Sequence, residues 1–299
     1  MKIHCIGIGG IGVSALAQYY LSEGHEVSGF DLTASEITDF LRGKGVRITT
    51  GDDIGHVKEG MDLVVYSPAV PRDNPELKRA RKLGIPVKSY PEALGELTKR
   101  YKTIAVAGSH GKSTTTAMIA LILERAGLDP TVIVGTKLKE FGGSNFRKGK
   151  GEYLVIEACE YDGSFLEYQP YGAVVTNVDK EHLDYFKTFA NVKKTFATFI
   201  KKIPEGGFLI YNGDDRNIAI PKKPMFLPQK FSLRQIAAKK LAKLLKVPGK
   251  HNVQNALAAL EAARAIGGVS DSVSLKALAA YRGSWRRFEE KKGKAGKKS

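Results

Sequence analysis

Cysteine is scarce in this 299-residue chain, which has only Cys5 and Cys159, each in an apolar stretch read as a strand. So few thiols exclude a disulfide framework and point to a reducing compartment. No apolar run reaches about 18 residues, the length that a membrane-spanning helix requires. The chain opens directly in a β-run, with neither a charged leader nor a small-residue cleavage site. A soluble, cytoplasmic protein with no membrane partner is expected. Acidic residues are also short, 31 Asp and Glu against 47 Lys and Arg, for a net charge of +16. Residues 285–299 hold seven of the basic residues against two Glu, and the other basic clusters are Lys78 to Lys88, Lys137 to Lys150 and Lys222 to Lys246. No interleaved aromatic platform or reading motif accompanies this charge, so nothing supports a nucleic-acid partner. A solvated basic surface that attracts anionic nucleotides is the expectation. Internal repeats are absent, and low complexity is confined to the Lys/Gly tail.

Apolar runs alternate with helical patterns along the rest of the chain. Strands are predicted over Lys2 to Ile8, His25 to Phe30, Arg47 to Thr50, Leu63 to Tyr66 and Pro86 to Lys88. Helices are predicted over Ile11 to Ser22, Glu36 to Lys44, Glu76 to Leu83 and Pro91 to Lys99. After a boundary near Tyr101, strands are expected at Lys102 to Ala107, Thr131 to Val134, Tyr153 to Ala158, Ala173 to Thr176 and Phe208 to Tyr211. Helices are expected there at about 112–126, 191–202 and 252–266. The order is α/β: an N-terminal Rossmann-like doubly wound sheet over 1–100, then a P-loop ATPase α/β domain over 101–283, then a basic tail over 284–299.

The most informative segment is Gly108-Ser109-His110-Gly111-Lys112-Ser113-Thr114, set between the run ending at Ala107 and an alanine-rich helix. Backbone N–H groups at a helix N-terminus bind anions readily. Lys112 would reach the β and γ phosphates of ATP, and the Ser113 or Thr114 hydroxyl would ligand Mg²⁺. The usual first glycine of such a loop is replaced by Val106, which leaves the shorter Gly-x-x-Gly-Lys-Ser.

A second glycine fingerprint, Gly7-x-Gly9-Gly10-x-Gly12, opens the first helix, and Asp31 follows 19 residues after Gly12. This is the dinucleotide pattern, with the acid placed for a ribose hydroxyl. Two features favour a different diphosphate over a nicotinamide oxidoreductase. No later segment suits hydride transfer, and the next domain carries its own nucleotide loop. Asp31 and Ser67, in the Ser67-Pro68-Ala69-Val70 turn, are weaker candidates for this ligand; Asp31 serves equally well as a strand-end helix cap.

These loops, together with Glu157-Ala158-Cys159-Glu160-Tyr161-Asp162, Thr176-Asn177-Val178-Asp179, His251-Asn252 with Asn255, and Trp285-Arg286-Arg287-Phe288-Glu289, resemble the Mur ligase family over nearly the whole chain. The resemblance is strongest to the branch that joins L-alanine to UDP-N-acetylmuramate. It implies an ATP- and Mg²⁺-dependent amide ligase of peptidoglycan precursor synthesis, acting through an acyl phosphate, in which the first glycine loop cradles the diphosphate of the UDP-sugar. The Glu160-Tyr161-Asp162 sequence also resembles the relatives that ligate a murein peptide to the same acceptor. The family's third domain has no counterpart here, and 284–299 reads as a remnant of its start. The expectations are a ligase completed by a separate polypeptide or by the remainder of a truncated gene, or a UDP-sugar- and nucleotide-binding module without turnover.

The resemblance also implies roles for particular residues. Glu157, at the end of its β-run, would ligand Mg²⁺, with Glu160 and Asp162 as weaker candidates, and His182 would hold a second Mg²⁺. His110 is placed to touch either substrate. Arg147, with Asn145 in Gly-Ser-Asn-Phe-Arg, would face the muramate carboxylate or its acyl phosphate. His251, Asn252 and Asn255 would recognise adenine, though Asn252 also suits a helix N-cap. The interval from Asp215 to Pro248 is shorter than the family's by a strand or two.

Overall fold

The computed structural model describes residues 1–51 and 55–283. The tail read as a domain remnant, with its Trp285 to Glu289 motif, lies outside the described residues. The first sheet is built from β1 (Lys2–Ile6), β2 (Glu26–Asp31), β3 (Arg47–Thr50), β4 (Leu63–Tyr66) and β5 (Val87–Ser89). Its strands are all parallel, in the order β3-β2-β1-β4-β5, with α1 (Ile11–Ser22), α2 (Glu36–Gly43), α3 (Pro75–Lys82) and α4 (Tyr90–Thr98) as connections. The start signals are local. Ser35 with Thr38 and Ser89 with Glu92 form capping boxes for α2 and α4, and Asn74 caps α3 ahead of Pro75.

The second sheet has seven strands: β6 (Lys102–Ala107), β7 (Thr131–Leu138), β8 (Ser144–Arg147), β9 (Tyr153–Glu157), β10 (Gly172–Val175), β11 (Phe208–Asn212) and β12 (Leu227–Phe231). They run β12-β11-β10-β6-β9-β7-β8, all parallel except β8, which pairs antiparallel with β7. Around them lie α5 (Lys112–Arg125), the short α6 (Leu183–Phe186), α7 (Phe189–Ile200), α8 (Ile236–Leu244), α9 (Lys250–Ile266) and α10 (Asp271–Ala280), plus a 3-10 segment at Tyr161–Glu167. The central strands are continuous apolar runs because helices cover both faces. Ile104 to Ala107 and Leu154 to Ile156 are wholly buried. One core cluster continues across both sheets, from Leu16 and Tyr19 of α1 to Ile133 and Phe146. Among the described residues, no helix is long and apolar enough to cross a membrane.

Several elements differ from expectation. The strand at Thr131 extends to Leu138, and β8, β12, α8 and α10 were not foreseen. β8 follows two glycines and has a polar sequence, whereas β12 is an exposed edge strand containing Pro228. Proline on an edge loses no ladder bond, but it removes the sequence signal for a strand. The interval from Asp215 to Pro248 holds one strand, β12, and one helix, α8. Cys159 is corrected as well: it is exposed in the loop after β9.

In each sheet the glycine loop leaves the carboxyl end of the strand where the connections reverse direction. β1 lies between β2 and β4, and β6 lies between β10 and β9. Open parallel sheets form their ligand crevices at such switch points.

Candidate functional site

The first loop is tight at each of its glycines. Gly7 has φ +75°, and a Cβ there would lie 2.9 Å from the Ser67 Cβ. A Cβ on Gly12 would lie 2.7 Å from the Tyr90 ring, so the start of α1 packs directly on that phenol. The Gly10 N–H donates to the Gly7 carbonyl at 3.1 Å, and Gly10 is the N-cap of α1. The Asp31 carboxylate accepts from the Gly9 N–H at 2.7 Å and the Thr33 N–H at 3.3 Å. Asp31 thus pins the loop, and the cap of the next helix is Ser35. Ser67 stands beside Gly7, where its Oγ accepts from the Ala69 N–H at 3.3 Å.

The second loop is left-handed at Gly111, with φ +85°, and Gly111 caps α5. A Cβ on Gly108 would collide with Thr176 Oγ1, and one on Gly111 with the Asn255 amide oxygen. The next parallel strand's exit braces the loop. Asn177 Oδ1 accepts from the His110 N–H at 2.8 Å, and its Nδ2 donates to the His110 carbonyl at 3.0 Å. Thr176 Oγ1 donates to that carbonyl at 2.6 Å, and Ser109 Oγ accepts from the Asp179 N–H at 2.9 Å. Ser113 and Thr114 are buried in the first turn of α5, where the helix dipole favours negative charge.

Lys112 folds back over the loop. Its ammonium donates to the Gly108 carbonyl at 2.6 Å and the Ser109 carbonyl at 3.2 Å, and lies 2.9 Å from Glu160 Oε2. Glu160 also lies 3.9 Å from His182 Nε2. Glu160, Glu181 and His182 place ligand atoms within 4.8 Å of one another, a spacing that one metal ion can bridge. His110 is at the rim, with Nδ1 3.5 Å from Glu181. His182 and Asp162 both hold left-handed backbones, with φ +55° in each. Strain of this kind gathers at functional loops.

Not every expected residue joins this group. Glu157 does end β9, but its carboxylate turns away across the sheet and accepts from the Gly135 N–H at 2.5 Å. Arg147 needs a correction. In the antiparallel register it sits opposite Val132, near the start of β7, at the end of the sheet away from the phosphate loop. There its guanidinium donates to Asp129 at 2.6 Å and the Pro130 carbonyl at 2.8 Å, and pairs with Glu124 at 3.3 Å. The physical reason is strand direction: β8 runs opposite to its neighbours, so its last residue lies at their first. Asn145 is buried against α1. Of the adenine candidates, Asn255 leans on Gly111, while Asn252 donates to the Pro248 carbonyl at 2.6 Å from inside α9. The N-cap of α9 is Gly249, where a Cβ would lie 2.5 Å from the His251 ring.

Two contributors were given no role from the sequence. Asn177, quoted only as part of the Thr176 to Asp179 motif, holds both the N–H and the carbonyl of His110. Tyr90 packs under Gly12, and burial together with the Glu157 charge pushes its phenol above the ordinary range. Nothing local in the sequence marks it.

The Mur ligase family, catalytic domain, matches residues 2–102, and the Mur ligase middle domain matches residues 106–227. UDP-N-acetylmuramate–L-alanine ligase of Acetivibrio thermocellus is 42% identical, over 97% of this chain and 66% of that protein. The protein of that name from Aquifex aeolicus is 44% identical, over 97% and 68%. A crystal structure of UDP-N-acetylmuramate-alanine ligase from Thermotoga maritima superposes with a TM-score of 0.84 at 30% identity, covering 97% of this chain and 70% of that one. A UDP-N-acetylmuramate:L-alanyl-gamma-D-glutamyl-meso-diaminopimelate ligase from Neisseria meningitides gives 0.83 at 27% identity, covering 95% and 99%. The chain spans about two thirds of the length of the curated relatives it matches.

Proposed function

Because the chain belongs to the Mur ligase family, we propose that it holds UDP-N-acetylmuramate on the Gly7 to Gly12 loop and ATP on the Gly108 to Thr114 loop, and activates the sugar's lactyl carboxylate for amide formation with L-alanine. The observation that carries this reading is the convergence of Lys112, Glu160 and His182 on a phosphate loop at the carboxyl edge of a parallel sheet.

In the proposed reaction the carboxylate oxygen attacks the γ-phosphorus, ADP leaves, and the resulting acyl phosphate is opened by the amine with release of phosphate. Activation replaces a poor leaving group, oxide, with a good one. The loop N–H groups orient the phosphates, and Lys112 neutralises charge on the transferring phosphoryl group. When bound by Glu160, His182 and a Ser113 or Thr114 hydroxyl, Mg²⁺ supplies further neutralisation of the phosphate oxygens. His110 and Glu181 form the outer rim, where the two substrates would meet. The surplus positive charge draws both anionic substrates inward. A cytoplasmic setting belongs to this reading, because the proposed ATP chemistry and the two free cysteines suit a reducing compartment.

Phosphate release from Mg-ATP with UDP-N-acetylmuramate, measured with and without L-alanine, tests the proposal. Alanine-dependent release that Lys112→Ala abolishes supports it; failure to bind either the UDP-sugar or Mg-ATP sinks it. Release only on adding a polypeptide that carries a Mur third domain would assign the amino-acid site to that partner. The Glu160-Tyr161-Asp162 sequence favours a second reading, with a peptide as the amine donor, and substituting L-alanyl-γ-D-glutamyl-diaminopimelate for L-alanine separates the two.

A further inference from the structure

Helix α1 leaves the first glycine loop and carries on its far side a polar network that the proposed chemistry does not use. Asn145 of β8 donates its Nδ2 to the Ile11 carbonyl and, at 3.0 Å, to Ser14 Oγ. Its Oδ1 accepts from Gln18 Nε2 at 2.8 Å, and Ser144 Oγ donates to Gln18 Oε1 at 2.9 Å. Ser14, Gln18, Ser144 and Asn145 are between 1% and 4% exposed. Around them the seam is apolar, with Tyr19 set edge-on to Phe146. Apolar contacts tolerate sliding, whereas directional bonds between buried groups do not, since breaking one strands its partner away from water.

The network reaches both nucleotide loops. Ile11 directly precedes Gly12, the last glycine of the first loop. β8 pairs with β7, which pairs with β9, and the chain leaving β9 carries Glu160 to Lys112. A second tie joins the same bodies where Lys137 Nζ lies 3.1 Å from Glu36.

We infer that this clasp between α1 and β8 sets the position of the first loop against the phosphate loop and carries the coupling between their ligands. The inference rests on the reading of the two loops as UDP-sugar and ATP sites. Gln18 and Asn145 act as positioning residues: buried in the seam, they hold the loops without meeting substrate.

Calorimetry of the whole chain with Mg-ADP and UDP-N-acetylmuramate, each titrated alone and then with the other saturating, tests it. In the native chain each ligand should change the other's affinity by about tenfold, and by the same factor in both directions. Gln18→Met, which keeps side-chain length, and Asn145→Leu should bind each ligand alone within about threefold of the native chain, with a coupling factor near one. Lys148→Ala, which removes an ammonium held at the rim of the same seam by Glu23 and Tyr101 and leaves the buried network intact, should retain the coupling. If Asn145→Leu fails to fold, Gln18→Met alone decides.

Native coupling that persists in a folded clasp variant overturns the inference, as does independent binding in the native chain. Binding of Mg-ADP without the UDP-sugar means instead that the reading of the first loop has failed. The clasp is then tested by amide hydrogen exchange over residues 7–22, which Mg-ADP must slow in the native chain but not in Gln18→Met. No slowing overturns the clasp, and no Mg-ADP binding overturns both.

Discussion

The Lys112 ammonium lies 2.9 Å from the Glu160 carboxylate, in a pair whose side chains are 15% and 1% exposed. The two groups that a magnesium nucleotide would engage are thus engaged with each other, and binding must exchange both partners at once. Lys112→Ala removes the charge that faces the transferring phosphoryl group. Turnover should fall by about 10²- to 10³-fold or more, while calorimetric binding of the UDP-sugar stays unchanged.

Glu160→Gln acts on the other half of the pair. Breaking a buried pair on one side costs about 3 kcal/mol, visible as a lower urea midpoint. Binding should split by condition: ADP affinity falls roughly tenfold with Mg²⁺ present and holds or rises in EDTA, because Lys112 is released toward the phosphates. Equal losses in both conditions would contradict the proposed metal role.

Gly111→Ala tests the loop's shape. The left-handed backbone alone penalises a side chain by about 1 kcal/mol, and its Cβ would also strike Asn255. Nucleotide affinity should drop at least about tenfold, with far-ultraviolet circular dichroism unchanged.

Arg147→Ala should leave the Michaelis constants within about threefold of the native values and cost about 1 kcal/mol of stability. Its partners Asp129 and Pro130 lie in the turn that enters β7, and Glu124 lies in the last turn of α5. A large loss in kcat would restore the role expected from the sequence.

A pH effect follows from Glu76. Burial opposes its charge, but His4 and His56 hold its carboxyl below the ordinary value of 4.5. A carboxyl depressed in the folded state adds stability that is complete above its unfolded pKa and vanishes as pH falls through the folded one. Glu76→Gln should therefore lower the urea midpoint at pH 7, and the gap from the native chain should narrow as pH falls below 4.5.

Much of the frame was written locally. Glycines before helices, continuous apolar runs for doubly covered strands, and Ser or Asn caps with a following proline are short-range signals. They marked α1, β3, β4 and β6 to the residue and picked out both glycine loops at the strand-to-helix turns. The phosphate loop was legible because its chemistry depends on neighbours in sequence: glycines, a lysine and a helix start within seven residues.

Tertiary structure decided which side chains meet. Glu157 and Glu160 lie three residues apart on one exit from the sheet, yet only Glu160 turns to Lys112, while Glu157 crosses to Gly135. Arg147 was assigned to the site by the family resemblance, and the reversal of β8 carried it to the far end of the sheet. Asn145 and Gln18 are 127 positions apart and became partners only when α1 packed on β8. Local sequence sets backbone preferences within a few residues. The direction of an edge strand, the turn of a side chain after a strand end, and contacts across a seam depend on how whole elements pack, and that exists only once the chain is folded.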